Sequence, residues 1–331
     1  MPDAPPTLVV AQTCDAERRA VIAEAVGDAG RIVYLEDVAE ADRPAAVAAA
    51  TAVFAVHVDQ LPDRGRDIGP GCRLLQFHSA GVDYLPLAHF PADLPIAGNG
   101  GAFAEPMAEH GLAMALAAGK RLAIEHQKMR EGEFNQFVRN RMFMGGTAGI
   151  LGLGGIGVAT AKLFKALGMR IHAINRRGAT DADVEIDRID GPDGLDALLA
   201  ASDVVVLSLP YTQTTEKLID KDRLARMKPD AILVNLARGE IVDEDALYAH
   251  LLANPKFVAC IDAWWVEPIR HGRFETGHPF LDLPNVIASP HNSASVGQWR
   301  RNAVHRAASN CARALRGETP LHLIGPEERM R

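Results

Sequence analysis

Gly152-Leu153-Gly154-Gly155-Ile156-Gly157 constrains the fold of this 331-residue chain more than any other stretch. The apolar run Ala148–Leu151 precedes it, and an amphipathic helical pattern, Ile156–Leu167, follows it. In a strand–turn–helix setting the three glycines of such a motif have separate tasks. The first permits the tight turn. The second lets the backbone approach a pyrophosphate on the helix amino terminus. The third lets helix and strand pack closely. A glycine-rich loop without a ligand is the alternative, and the agreement of strand, turn and helix argues against it.

The rest of the chain repeats the same alternation. Thr7–Ala11, Arg31–Leu35, Ala52–His57, Arg73–His78 and Pro95–Gly98 read as strands, with helices over Asp15–Ala29 and Ala41–Ala50. Glu109–Glu131 reads as one long helix, and the polar stretch Glu131–Gly146 as a connecting loop. A second strand series follows at Ala148–Leu153, Arg170–Asn175, Val204–Leu209, Ala231–Asn235, Val258–Asp262 and Val286–Ser289. Helices fit between its members at Ile156–Leu167, Gly194–Ala201, Lys221–Met227 and Glu244–Leu252. Repeated strand–helix–strand units imply parallel sheets covered on both faces. The expected fold is α/β: two doubly wound parallel-sheet domains, one a Rossmann cofactor domain and one flavodoxin-like. The Rossmann domain is expected over residues 107–292. The other spans residues 1–106 with 293–331, the helix Val296–Leu315 returning to pack on it.

Bulk properties narrow the function. A net charge of −7 argues against a nucleic-acid surface over the molecule as a whole. No apolar run is long enough to cross a bilayer, and MPDAPPTLVV lacks a signal layout. Cys14, Cys72, Cys260 and Cys311 are scattered, which suits free thiols in a reducing compartment better than disulfides or a metal site. A cytoplasmic protein without a metal is expected.

The strand after the glycine turn ends in Asn175-Arg176-Arg177, where an NAD enzyme carries a carboxylate for the ribose hydroxyls. Without that carboxylate nothing repels a 2′-phosphate, and guanidinium groups bind phosphate in a fork. NADP(H) is therefore preferred. NAD(H) stands as the alternative, with Arg176 and Arg177 then solvated.

Three further segments each place a polar residue after a strand of this domain. They are Leu233-Val-Asn235-Leu-Ala-Arg238-Gly239, Asp262-Ala-Trp-Trp-Val-Glu267-Pro268 and Leu283-Pro-Asn285-Val-Ile-Ala-Ser-Pro290-His291. Together with Ser79-Ala-Gly-Val-Asp83, Ala108-Glu-His110 and Leu209-Pro210-Tyr-Thr-Gln-Thr-Thr215, they resemble the D-isomer-specific 2-hydroxyacid dehydrogenase family. The nearest flavour is that of glyoxylate and hydroxypyruvate reductases. The resemblance implies Arg238, Glu267 and His291 as the catalytic set. Reduction of a 2-keto acid needs a cation to grip the carboxylate and polarise the carbonyl, which suits Arg238. It needs a proton donor for the new alkoxide, which suits His291. A nearby carboxylate, Glu267, favours the imidazolium.

The same resemblance implies a cleft between the domains, D stereochemistry and further site residues. Cofactor contacts would come from Gly152, Gly154, Gly155, Ile156, Gly157, Asn175, Arg176, Arg177, Leu209 and Pro210. Asp262 would meet the nicotinamide end. Substrate contacts would come from Ser79, Ala80, Gly81, Asn99 and Arg238. His78 and His110 lie in segments the family places near the cleft. Hinges near Pro106 and Ser293 and a homodimer through the cofactor domain are also implied.

Two departures bear on substrate choice. Trp264-Trp265 stands where the family has a smaller pair, so the tryptophans are expected to narrow or cover the pocket. The stretch Ile269–Gly277 is long and basic, and is expected to reach toward substrate or a neighbouring subunit, or to be solvated. Formate and phosphite dehydrogenases share the fold and glycine turn. Glu267 argues against the first and leaves the second open. A corepressor-like protein that binds NAD(H) and recruits partners is the alternative from another class.

Overall fold

The computed structural model describes residues 5–297, 299–325 and 329. The chain forms two compact units, Met1–Ala102 with Val296–Arg331, and Phe103–Ser295.

In the first unit β1 (Thr7–Val10), α1 (Ala16–Val26), β2 (Arg31–Tyr34), α2 (Arg43–Ala48), β3 (Ala52–Ala55), β4 (Leu74–Phe77) and β5 (Ile96–Ala97) follow in order. The strands make one parallel sheet in the order β2-β1-β3-β4-β5, the flavodoxin-like arrangement. β1, β3 and β4 are buried throughout. Strands covered on both faces favour apolar residues, which is why they read as near-continuous apolar runs, interrupted here by Thr7 in β1 and Gln76 in β4. Asp15 caps α1 by accepting from the Arg18 N–H at 2.8 Å, so the helix begins where its capping residue predicts.

The second unit contains α3 (Ala104–Gly119), α4 (Leu122–Arg130), β6 (Thr147–Leu151), α5 (Gly155–Ala166), β7 (Arg170–Ile174), β8 (Arg188–Asp190), α6 (Leu195–Ala201), β9 (Val204–Leu207), α7 (Lys221–Arg226), β10 (Ile232–Asn235), α8 (Glu244–Ala253), β11 (Val258–Ile261), α9 (Pro268–His271) and β12 (Val286–Ala288). Its parallel sheet runs β12-β11-β10-β9-β6-β7-β8. The order reverses between β6 and β9. Ligands of open α/β sheets bind outside the carboxyl ends of the strands at such a switch point. The glycine turn leaves β6 there.

The chain then returns to the first sheet as α10 (Trp299–Leu315), which packs on α1, β3 and β4. Asn310 on α10 donates to the Gln76 Oε1 of β4 at 2.7 Å. This joins residues far apart in sequence through a buried polar contact.

Two elements differ from the sequence expectation. The long helix over Glu109–Glu131 is two helices, with Arg121 between them in the left-handed region at φ 56°. At the break Gly119 lies so close to the Phe143 ring that a Cβ there would sit 2.4 Å from it. Lys120 Nζ also donates to Arg141 O at 2.7 Å. A break of two residues, Lys120 and Arg121, leaves the apolar period on either side intact, so periodicity does not reveal it. β8 was not expected at all. It is a three-residue edge strand with exposed or half-buried side chains, too short and polar to carry a period-2 signal.

Candidate active site

The glycine turn is built as its sequence requires. Gly152 has φ 96°, a conformation L side chains rarely adopt. A Cβ on Gly157 would stand 1.8 Å from Gly152 O. Gly154 is different: a Cβ there would meet nothing within 4 Å, although the residue opens α5 as its cap. Gly155 and Ile156 are the first two residues of that helix. The space above Gly154 and the free N–H groups of the helix start fit a pyrophosphate, which needs close backbone approach and no side chain.

The strand end beyond it holds Asn175, Arg176 and Arg177. Asn175 accepts from the Arg177 N–H at 2.9 Å and donates to Ala179 O at 2.7 Å, fixing the turn. Arg176 and Arg177 are exposed, and Arg177 pairs with the exposed Asp181 at 2.9 Å. Leu209 is half-buried and Pro210 exposed after β9.

Arg238 follows β10. Asn235 is buried and ties the turn in two ways: it accepts from the Ala237 N–H at 3.0 Å and donates to Arg238 O at 2.8 Å. Gly239 is needed next, because a Cβ would lie 2.3 Å from the Trp264 carbonyl carbon. The segment carrying Arg238 is thus pressed against the segment carrying Glu267.

Glu267 is 7% exposed. Its Oε1 accepts from the Trp264 N–H at 2.7 Å, and both carboxylate oxygens lie 2.8 Å from His291 Nδ1. Burial pushes the Glu267 pKa up. The hydrogen bond and charge of His291, the Trp264 N–H and the charge of Arg238 together outweigh burial, so the carboxyl is held below its ordinary value. His291 itself has φ 49°, a left-handed conformation uncommon for a side-chain-bearing residue and a frequent mark of a functional position. With Nδ1 engaged by the carboxylate, Nε2 is the ring atom with no partner among the described residues.

Asp262, at the end of β11, is fully buried. Its Oδ1 accepts from Ser289 Oγ at 2.6 Å and from the Asn292 N–H at 3.2 Å. Its Oδ2 is buried without a partner among the described residues. An orphaned buried carboxylate oxygen after a strand of the sheet that carries the dinucleotide turn fits a nicotinamide, whose carboxamide offers N–H donors. The residues present therefore suit the cofactor that the glycine turn implies.

In the first unit, Ser79 Oγ lies 2.9 Å from Tyr84 OH. The N–H groups of Ala80 and Gly81 have no protein partner among the described residues. Asn99 lies on the loop after β5. It is 3% exposed, and its amide nitrogen donates to His78 O at 3.0 Å and Ala303 O at 2.8 Å. Both amide protons are committed, so Asn99 ties its loop to β4 and α10. His78 is half-buried, and burial first, then the charges of Arg18 and Arg300, lower its pKa to about 4.

The tryptophans also differ from expectation. Trp264 is 3% exposed and donates through Nε1 to Ser289 O at 2.8 Å. Trp265 donates to Val242 O at 2.8 Å and stacks on Phe280. Trp264 belongs to the core of this unit and the half-buried Trp265 packs against it, so the bulk expected to narrow a pocket goes largely into and against that core. The basic stretch after Pro268 is committed locally too. Arg270 pairs with Glu240 at 2.6 Å, Arg273 with Glu275 at 2.6 Å, and His271 Nδ1 accepts the Glu267 N–H at 3.0 Å. Sequence reasoning passed over Ser289, His271 and Asn292, whose signal is only their adjacency to the singled-out residues.

The model of the D-isomer specific 2-hydroxyacid dehydrogenase NAD-binding domain matches residues 112–293. The chain belongs to the D-isomer specific 2-hydroxyacid dehydrogenase family. A glyoxylate/hydroxypyruvate reductase B of Pectobacterium carotovorum is 34% identical over 67% of this chain and 69% of its own length. A glyoxylate reductase of Thermofilum pendens is 28% identical over 83% of this chain and 81% of its own. Among solved structures, a D-isomer specific 2-hydroxyacid dehydrogenase from Xanthobacter autotrophicus, bound to NADPH and MES, is 26% identical with a TM-score of 0.78. That match covers 98% of this chain and 99% of the other. This 2-hydroxyacid dehydrogenase is an oxidoreductase that uses a nicotinamide cofactor. Among its described residues no helix is long and apolar enough to cross a membrane, and no group of three or more His, Cys, Asp or Glu side chains could hold a metal.

Proposed function

We propose that this dehydrogenase reduces a small 2-keto acid of the glyoxylate or hydroxypyruvate kind to the D-2-hydroxy acid, preferring NADP(H). The observation that carries the reading is the contact of both Glu267 oxygens with His291 Nδ1 at 2.8 Å. A carboxylate astride Nδ1 fixes the ring and its orientation, which leaves Nε2 to deliver a proton. In the oxidative direction the same nitrogen removes it. Arg238 would grip the substrate carboxylate and polarise the ketone, its fork matching two oxygens at once. The unpartnered N–H groups of Ala80 and Gly81, with Ser79 beside them, form a second candidate anion cradle.

A nicotinamide cofactor bound at the glycine turn supplies the hydride. Gly152, Gly154, Gly155, Ile156 and Gly157 would hold its pyrophosphate, Leu209 and Pro210 would border it, and Asp262 would take its carboxamide. Asn175 in place of a carboxylate, and the exposed Arg176 and Arg177, support the 2′-phosphate preference. The NADPH-bound Xanthobacter protein adds weight.

The large apolar side chains exposed between Leu122 and Met144, including Phe134 at 70% and Phe137 at 90%, support a homodimer through this unit.

A panel of glyoxylate, hydroxypyruvate, phenylpyruvate and phosphite, each assayed with both cofactors, tests the reading. Reduction of glyoxylate or hydroxypyruvate with a lower KM for NADPH than for NADH is expected. Better use of NADH overturns the cofactor preference, and no turnover of any keto acid overturns the substrate class. Arg238→Lys should lower kcat/KM by roughly 100-fold, because a point charge cannot reproduce the fork.

A further inference from the structure

His110, Ser289 and Asp262 form a connected polar chain inside the second unit, of which His110 and Ser289 have no part in the proton transfer or the carboxylate grip. His110 lies in α3, Ser289 follows β12, and Asp262 ends β11. His110 Nε2 lies 3.0 Å from Ser289 Oγ, and Ser289 Oγ lies 2.6 Å from Asp262 Oδ1. His110 Nε2 is also 3.7 Å from that same oxygen.

The direction of donation follows from the donor inventory. A carboxylate only accepts, so Ser289 spends its one proton on Asp262. The 2.6 Å separation suits a charge-assisted O–H···O⁻ bond, far better than the competing approach to Met114 Sδ at 3.8 Å. Ser289 Oγ must then accept from His110, which places a proton on His110 Nε2. The chain runs one way, from imidazole to hydroxyl to carboxylate. The Asn292 N–H closes the remaining demand on Oδ1 at 3.2 Å. Oδ1 is thereby saturated and the carboxylate plane held, while Oδ2 is buried with no partner among the described residues.

We propose that Ser289 and His110 are positioning residues for the nicotinamide: their donor chain locks Asp262 by Oδ1 so that Oδ2 alone is presented to the carboxamide N–H. This rests on the reading of Asp262 as the carboxamide acceptor. A carboxylate free to rotate would offer either oxygen in several orientations. Locking it converts a buried charge into a single directed acceptor, and cofactors lacking the matching donor are rejected because the oxygen stays unpaired.

Calorimetric titration of the full-length chain tests this. The ligands are NADPH, NADH and their 3-acetylpyridine analogues, in which an acetyl group without N–H replaces the carboxamide. The wild type should bind the tighter of the two natural cofactors about tenfold or more better than its analogue, as expected for a hydrogen bond to a charged acceptor. Ser289→Ala should shrink that ratio to about threefold or less, and His110→Ala should shrink it partly. Ser289→Thr, which keeps the hydroxyl, should restore it. Equal weakening of both ligands by Ser289→Ala, with the ratio unchanged, means that Ser289 is merely structural and overturns the proposal. A wild type that binds both ligands equally shows that Asp262 is not the acceptor, and overturns it at an earlier step. A wild type that binds neither natural cofactor defeats the site reading itself, a different failure from either. Should Ser289→Ala not fold, His110→Ala carries the same readout.

Discussion

At the scale of residues, the chemistry concentrates in one contact, that of Glu267 with His291. His291→Gln should lower kcat for keto-acid reduction roughly 100- to 10,000-fold while leaving cofactor affinity near wild type. Loss of cofactor binding in step with kcat would point to a structural histidine. Glu267→Gln removes the charge but keeps the shape. It should lower kcat for reduction roughly 100-fold with cofactor affinity near wild type, because the His291 ring is then no longer held by a charge-assisted hydrogen bond. A second histidine makes a prediction about stability. His78 titrates near 4 in the folded chain against 6.5 as an ordinary side chain, chiefly through burial. Between those values the unfolded chain binds the extra proton, so stability rises with pH across that window and is flat with respect to His78 above it. Thermal melts from pH 4 to 7 should show this slope. His78→Gln should flatten it, and an unchanged slope would assign the acid sensitivity to other groups.

Elements place those residues. Each of the three proposed catalytic side chains follows a different strand of one sheet: Arg238 after β10, Glu267 after β11 and His291 after β12. β10, β11 and β12 are neighbours in parallel register, so residues separated widely in the chain emerge at one end of the sheet. The strand–turn–helix unit β6–α5 supplies a cleaner test of the cofactor reading. Gly154→Ala places a methyl group in open space at an ordinary φ of −76°. It should therefore melt like the wild type yet bind NADPH at least tenfold more weakly. Gly157→Ala, with its Cβ 1.8 Å from Gly152 O, should instead destabilise the fold by at least ~1–3 kcal/mol. Identical behaviour of the two variants, measured by melting and titration, would mean that the space above Gly154 is not a ligand site. The element pattern was largely legible in the sequence, because fully buried parallel strands and amphipathic helices leave apolar signatures of different period. The helix break at Arg121 and the strand β8 were not. One depends on the left-handed Arg121 and the packing of Gly119 on Phe143, the other on pairing along a sheet edge.

At the scale of the whole molecule, the expected assembly is a homodimer. Light scattering should give twice the chain mass of 35.6 kDa, and Phe137→Ser should shift the population toward a single chain. A wild-type mass of one chain at micromolar concentration would remove the dimer. The sequence by itself determined the α/β class, the glycine turn and the identity of the polar residues at successive strand ends. These are local properties: a period, a turn or a motif can be read where it stands. Only the tertiary structure decided which of those residues meet and how. It set Glu267 astride His291 Nδ1, buried Trp264 in the core with Trp265 packed against it, committed both amide protons of Asn99 to carbonyls, and linked His110 through Ser289 to Asp262. Each of those outcomes joins groups from segments the chain keeps apart. Their partners follow from strand order and close packing, which no stretch of sequence records on its own.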